Sequence, residues 1–308
     1  MKKQALLVFA VAALLPGCSN DTDTDTGNDT RVSLQVSGGI SIQTRAQDKD
    51  WNKGDAIGIY MVDAGSMDIA EGAENRRYIT AEGDGKFSPA PDNTVYFPVD
   101  GSATDFLAYY PFEAALTDGA LSVDAGSQTD QAAIDLMTAK TVSTAGEPLD
   151  KNHSKVSLTF THRLTKLSLT IAAGNGMAAE DLAGLEVEIT NQRAKGSYSP
   201  LSETFSVASE PVQTIALNTA ASGTSAVAIL FPTTGPEGIN PIVAGRQLVF
   251  TLAGTGEVFR WDIPDSKSFK QGDKNIYDIT INRTSLDVTA TIVDWNEGNE
   301  GGEPGSAE

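Results

Sequence analysis

Arg31-Val-Ser-Leu-Gln-Val-Ser-Gly-Gly-Ile-Ser-Ile-Gln-Thr-Arg-Ala46 sets apolar side chains at Val32, Leu34 and Val36, then again at Ile40 and Ile42. A spacing of two is the period of a half-buried strand, because successive side chains of an extended backbone point to opposite faces. Arg45 stands at the edge of the polar run Gln47, Asp48, Lys49 and Asp50, where a protease reaches the backbone. A cut between Arg45 and Ala46 removes this strand and leaves the domain it completed with an open apolar groove. An unpaired groove of that kind accepts a strand from another chain. Arg31 is a competing cut site, but cleavage there keeps the strand and opens nothing.

Upstream of the strand, Lys2 and Lys3 precede the apolar run Ala5 to Leu15, too short for a permanent bilayer span. Residues 1–17 therefore read as a signal peptide. The following Gly17-Cys18 resembles a lipobox, the recognition site of lipoprotein signal peptidases. That resemblance implies a diacylglycerol thioether on Cys18 and an acylated new N-terminus, which together hold the chain on a membrane surface. Cys18 is the only cysteine, so no internal disulfide forms, although the export signal points outside the cytoplasm. Residues 18–30 are polar and acidic and are expected to be a solvated tether. Their alternating aspartates do not make a calcium loop, because Thr26 stands where the turn glycine is needed and Val32 where the bidentate glutamate is needed.

Downstream, short runs rich in β-branched and aromatic residues recur between Gly, Pro, Asn and Asp. They include 56–62, 94–97, 105–110, 156–160, 166–171, 185–189, 226–231, 247–252, 258–263, 276–281 and 286–293. Helical periodicity is confined to a short stretch at 177–185. The expectation is an all-β chain of two tandem β-sandwich domains, 31–150 and 151–296, divided at the turn-rich 146–152. Residues 297–308, acidic and glycine-rich, are expected to be a disordered tail.

A formal charge of −19 removes nucleic acid from the partners, since phosphate binding needs a basic surface. Hydrolase, nucleotide-binding and zinc-protease signatures are missing from the sequence. His153 and His162 carry no ligand spacing to another His or Cys, and a structural role is expected for both. No catalytic, cofactor-binding or metal-ligating residue is assigned, and the chain is not read as an enzyme. Tyr109, Tyr110, Phe112 and the three tryptophans are read as core in preference to a sugar-binding face.

The run Thr44-Arg45-Ala46 followed by Trp51-Asn52-Lys53-Gly54-Asp55-Ala56-Ile57-Gly58-Ile59-Tyr60 resembles the opening of the fimbrillin-like family of lipoprotein pilins. So do Tyr96-Phe97-Pro98, Phe106 to Pro111, Asp135 to Ala139, Leu158 to Leu167, Phe269 to Tyr277 and Val288 to Trp295, in that order along the chain. The resemblance implies two sandwiches of transthyretin-like type and a precursor lipidated at Cys18 and carried to the outer membrane. It further implies cleavage by an Arg-specific protease at Arg45-Ala46, loss of the strand holding Val32, Leu34, Val36, Ile40 and Ile42, and assembly with other pilin subunits by strand exchange. The product would be a fimbrium serving adhesion and biofilm formation. One departure bears on the role: a C-terminal donor segment is expected of stalk subunits, and the only terminal candidate here is Leu286 to Ile292. A tip or accessory subunit fits that departure. The alternative is a monomeric outer-membrane surface lipoprotein that binds a glycan or a host protein.

Overall fold

Strands Ala56–Asp63 and Thr104–Tyr110 are apolar almost without interruption and bury both faces, which makes them the centre of the fold. The computed structural model describes residues 31–41, 50–233, 240–283, 286–294 and 302–307. In chain order the first eight strands are β1 (Gln35–Ile40), β2 (Ala56–Asp63), β3 (Arg76–Thr80), β4 (Lys86–Pro89), β5 (Thr104–Tyr110), β6 (Leu121–Asp124), β7 (Met137–Thr141) and β8 (Lys155–His162). All but β6 form one sheet in the order β1-β4-β3-β2-β5-β7-β8, and pairing of β8 with β1 closes it into a barrel. The first expected sandwich is thus a closed sheet. Its interior holds Leu34, Val36, Ile57, Ile59, Met61, Phe87, Phe106 and Phe160.

Twelve further strands follow: β9 (Thr165–Ala173), β10 (Glu186–Arg193), β11 (Lys195–Ser199), β12 (Thr204–Val207), β13 (Val212–Ala216), β14 (Asn218–Thr219), β15 (Ser225–Leu230), β16 (Gln247–Thr251), β17 (Val258–Asp262), β18 (Asp273–Ile281), β19 (Leu286–Asp294) and β20 (Gly302–Ala307). A six-stranded sheet, β14-β15-β9-β18-β19-β20, and a four-stranded sheet, β13-β10-β16-β17, enclose a second core. It is built from Leu167, Leu169, Val187, Ile189, Leu248, Phe250, Tyr277 and Ile279. The apolar stretch at 177–185 supplies one turn of 3₁₀ helix, Ala179–Leu182.

The loop 146–152, expected to divide two domains at 150/151, instead joins β7 to β8 inside the barrel. Pairing passes to the second sheet system only after His162, at the turn before β9. Turn-forming residues mark any reversal of the chain, whether it lies within a sheet or between two domains. The two halves are also tied together. β6 leaves the barrel to pair with β11, and the outer faces of β2 and β5 contribute Tyr60, Val62, Leu107 and Tyr109 to a third core shared with Tyr198, Ile229 and Phe231. Gln128 bridges them as well: its amide donates to the Ala125 and Ile229 carbonyls at 2.7 and 2.9 Å and accepts from the Ile229 N–H at 2.8 Å.

The tail expected to be disordered supplies β20, antiparallel to β19 from Leu286↔Ala307 to Thr291↔Gly302. Its composition offers little to bury, but its backbone groups, apart from the N–H that Pro304 lacks, can pair along an open sheet edge, and proline is tolerated on such an edge.

The buried tyrosines make stability depend on alkali. Burial pushes the Tyr109 phenol up to about 12, and burial likewise raises Tyr60 and Tyr110, with nearby acidic groups adding to it. Unfolded, these phenols ionise near pH 10. The folded chain therefore keeps protons that the unfolded chain has lost, so stability is whole below pH 10 and falls above it. Tyr109 alone accounts for roughly 2–3 kcal/mol by pH 12. The urea midpoint should be flat from pH 8 to 9.5 and drop steeply from 10 to 12. Absorbance showing all tyrosines ionising near pH 10 in the folded protein would contradict this.

Candidate assembly site at the closing strand

β1 closes the barrel from a position between two edges. Along one edge it runs parallel to β8 through six register pairs, Gln35↔Lys155 to Ile40↔Phe160. Along the other it meets β4 antiparallel at only Val36↔Phe87 and Ser37↔Lys86. Before that contact the chain bridges at Ser33↔Tyr96: the Leu34 N–H donates to the Val95 carbonyl at 2.9 Å, and the Phe97 N–H donates to the Val32 carbonyl at 3.0 Å. Without β1, β4 and β8 are left as two facing free edges.

The alternation read from the sequence appears as burial. Leu34, Val36 and Ile40 are 4, 7 and 8% exposed, and half-buried Val32 packs against the same core. Gln35, Ser37 and Gly39 face outward. Of the other residues assigned from sequence, Ile42, Arg45, Ala46 and Cys18 lie outside the described residues. Arg31 is described, with its guanidinium 4.1 Å from the centre of the Tyr96 ring.

Sequence reading missed the floor of this channel. The inward position between Val36 and Ile40 is Gly38, and over it sit Trp51, Phe87 and Phe160. Trp51 meets Phe87 and Phe160 edge-on with centroids 5.1 Å apart, and Tyr110 edge-on at 5.4 Å. The buried indole N–H of Trp51 donates to the Gly38 carbonyl at 2.8 Å. The signal was present, because Gly38 falls in phase with the apolar residues on either side of it.

At the Ile40 end the channel meets a cavity of about 310 Å³, lined in part by Asp50, Asp55, Tyr110, Asp135 and Lys166. The Tyr110 hydroxyl donates to Asp55 Oδ1 at 3.3 Å. Asp135 Oδ1 lies 2.8 Å from Nδ1 of His162, whose side chain is buried. His153 pairs similarly with Asp150 at 2.9 Å on the surface. Among the described residues no three His, Cys, Asp or Glu side chains are grouped to hold a metal ion. The aromatic residues weighed as a sugar-binding face are mostly core: Tyr109, Tyr110, Trp51 and Trp261 are buried, and Phe112 is half-buried beneath the Arg77 guanidinium. Trp295 lies outside the described residues. Leu286 to Ile292, the terminal candidate donor, belongs to β19, paired through Leu286–Asp294 with β18.

Residues 44–295 match the model of the fimbrillin-like family. Over the full length of both proteins the chain is 42% identical to the "Putative fimbrium subunit Fim1C" of Bacteroides uniformis. Among solved structures, a "putative cell adhesion protein" of the same species is 37% identical, with a TM-score of 0.74 over 87% of this chain and 99% of that one. A second, from Bacteroides ovatus, is 22% identical with a TM-score of 0.66 and 87% and 99% coverage, a likeness of fold.

Proposed function

The chain belongs to the fimbrillin-like family, and from that premise we propose that it is a fimbrial subunit whose first strand is a removable plug. It is exported, lipidated at Cys18 and anchored on the outer membrane as a precursor. An Arg-specific protease cuts Arg45-Ala46, the segment holding β1 departs, and the channel between β4 and β8 takes a strand from a neighbouring subunit. The fimbrium so formed serves adhesion.

The observation that carries this reading is the role of β1, whose pairing to β8 on one side and β4 on the other closes the barrel. Strand replacement restores the same burial, worth roughly 1.5–3 kcal/mol for each large side chain, together with the backbone ladder. The engagement of β19 with β18 favours a tip or accessory subunit, which accepts a strand without donating one.

N-terminal sequencing and intact mass of protein sheared from the cell surface test the proposal. A start at Ala46 is the expected result. A lipid-bearing Cys18 on all of the sheared protein, with no form that starts at Ala46, would overturn it and leave a monomeric anchored lipoprotein that binds a glycan or host protein as the better description.

A further inference from the structure

We infer that the β1 channel selects a strand with glycine at its third fully inward position, the place of Gly38, and thereby discriminates against this chain's own β19. This rests on the strand-exchange reading above and adds to it the sequence that the donor must carry.

A Cβ at residue 38 would lie 2.9 Å from Cε2 of Phe87 and 3.2 Å from Cε2 of Phe160. Both rings are buried and held edge-on against Trp51, so neither has room to swing aside. On the strand's other side the backbones touch: the Gly38 N–H donates to the Gly85 carbonyl at 2.8 Å. Gly85 has φ +75°, and a Cβ there would meet the Gly38 carbonyl oxygen at 2.5 Å. The Trp51 indole, bonded to that same oxygen, fixes the height of the strand in the channel. A side chain at 38 therefore has nowhere to go.

Gly39 provides the contrast. It faces outward, and a Cβ on it meets nothing within 4 Å. Neither glycine has a positive φ, so backbone strain is equal at the two positions and only space differs. The channel thus reads Leu-x-Val-x-Gly-x-Ile, with branched apolar residues at 34, 36 and 40 and hydrogen alone at 38.

The sequence of β19 repeats the spacing almost completely. Leu286, Val288 and Ile292 match Leu34, Val36 and Ile40, but Ala290 stands where Gly38 does. One methyl in a packed aromatic floor is enough to weaken binding, and β19 is already committed to β18. The occupant is accordingly a glycine-bearing strand from a fimbrial subunit of different sequence.

The test uses the full chain nicked after Arg45 and a labelled synthetic peptide of residues 31–41 allowed to exchange into the channel. Unlabelled competitors are the parent peptide, its Gly38→Ala, Gly38→Leu and Gly39→Leu variants, and a peptide of residues 285–294. The parent and Gly39→Leu should compete equally, Gly38→Ala about tenfold more weakly, and Gly38→Leu not at all. The 285–294 peptide should follow Gly38→Ala or be weaker. Phe87→Leu in the protein should recover binding of Gly38→Ala, which a general loss of peptide quality would not allow. Equal competition by Gly38→Leu and Gly39→Leu overturns the inference while leaving strand exchange intact. If the parent peptide does not enter, strand exchange fails separately. The same substitutions in the intact chain then decide the matter: Gly38→Leu must lower the urea midpoint well beyond Gly39→Leu, and equal midpoints overturn it.

Discussion

Arg45→Ala is expected to abolish fibre assembly while leaving a folded, lipid-bearing monomer. β1 is covalently attached to the barrel that it closes, so it competes with any incoming strand at the high effective concentration of an intramolecular group, of millimolar order or above. It also fills the channel well, with Leu34, Val36 and Ile40 buried and six register pairs to β8. A donor presented by another subunit at micromolar concentration loses that competition by roughly a thousandfold even if its contacts are identical. Cleavage removes that advantage. Electron microscopy and size-exclusion profiles of Arg45→Ala should show monomer only, with fibre reduced at least about 100-fold. Arg31→Ala should assemble normally, because a cut at Arg31 leaves β1 attached. Polymer from Arg45→Ala would defeat the plug model outright.

Trp51→Ala should be among the most destabilising single substitutions in the barrel, at about 3–5 kcal/mol. The indole packs edge-on against three rings, Phe87, Tyr110 and Phe160, and all four are buried. Removing it leaves a void at the point where those three rings converge. It also removes the donor to the Gly38 carbonyl. Trp51→Phe separates the two effects, since it keeps a ring and loses the hydrogen bond, at a cost of about 1–3 kcal/mol for the unpaired buried carbonyl. Because the lost hydrogen bond is the one that ties the indole to β1, Trp51→Ala should also speed proteolysis of residues 31–41 relative to the rest of the chain. Urea denaturation and limited proteolysis measure both. A loss below about 1 kcal/mol for Trp51→Ala would mean that the aromatic floor is not what holds β1 in place.

Much of the fold was legible locally. The alternation of β1, β8 and β9, and the unbroken apolar runs of β2 and β5, are properties of neighbouring residues, and they became strands at nearly the expected bounds. Strands such as Lys86–Pro89, Lys195–Ser199 and Thr204–Val207 were not legible, because they are short and bury few apolar side chains. They are strands by virtue of the edges that they meet. The run 94–97, expected as a strand, makes only the bridge Ser33↔Tyr96, since β4 occupies the rest of the β1 edge. Gly38 was in plain view, yet its meaning depends on Phe87 and Phe160, which lie 49 and 122 residues along the chain.

The amino-acid sequence by itself determines that this is an all-β protein, that a one-faced alternating strand lies near the start of the described chain, where β1 is found at Gln35–Ile40, and that an arginine stands downstream in a polar run. Each of these is a matter of side-chain period and local chemistry, which adjacent residues fully specify. The tertiary structure alone decides that the first half closes into a barrel, that β1 is the strand that closes it, and that a Cβ at Gly38 would crowd Phe87 and Phe160. Those facts arise from parallel pairing across 120 residues and from three rings meeting at one glycine. Such contacts are set by the free energy of packing the whole chain, to which no single stretch of sequence has access.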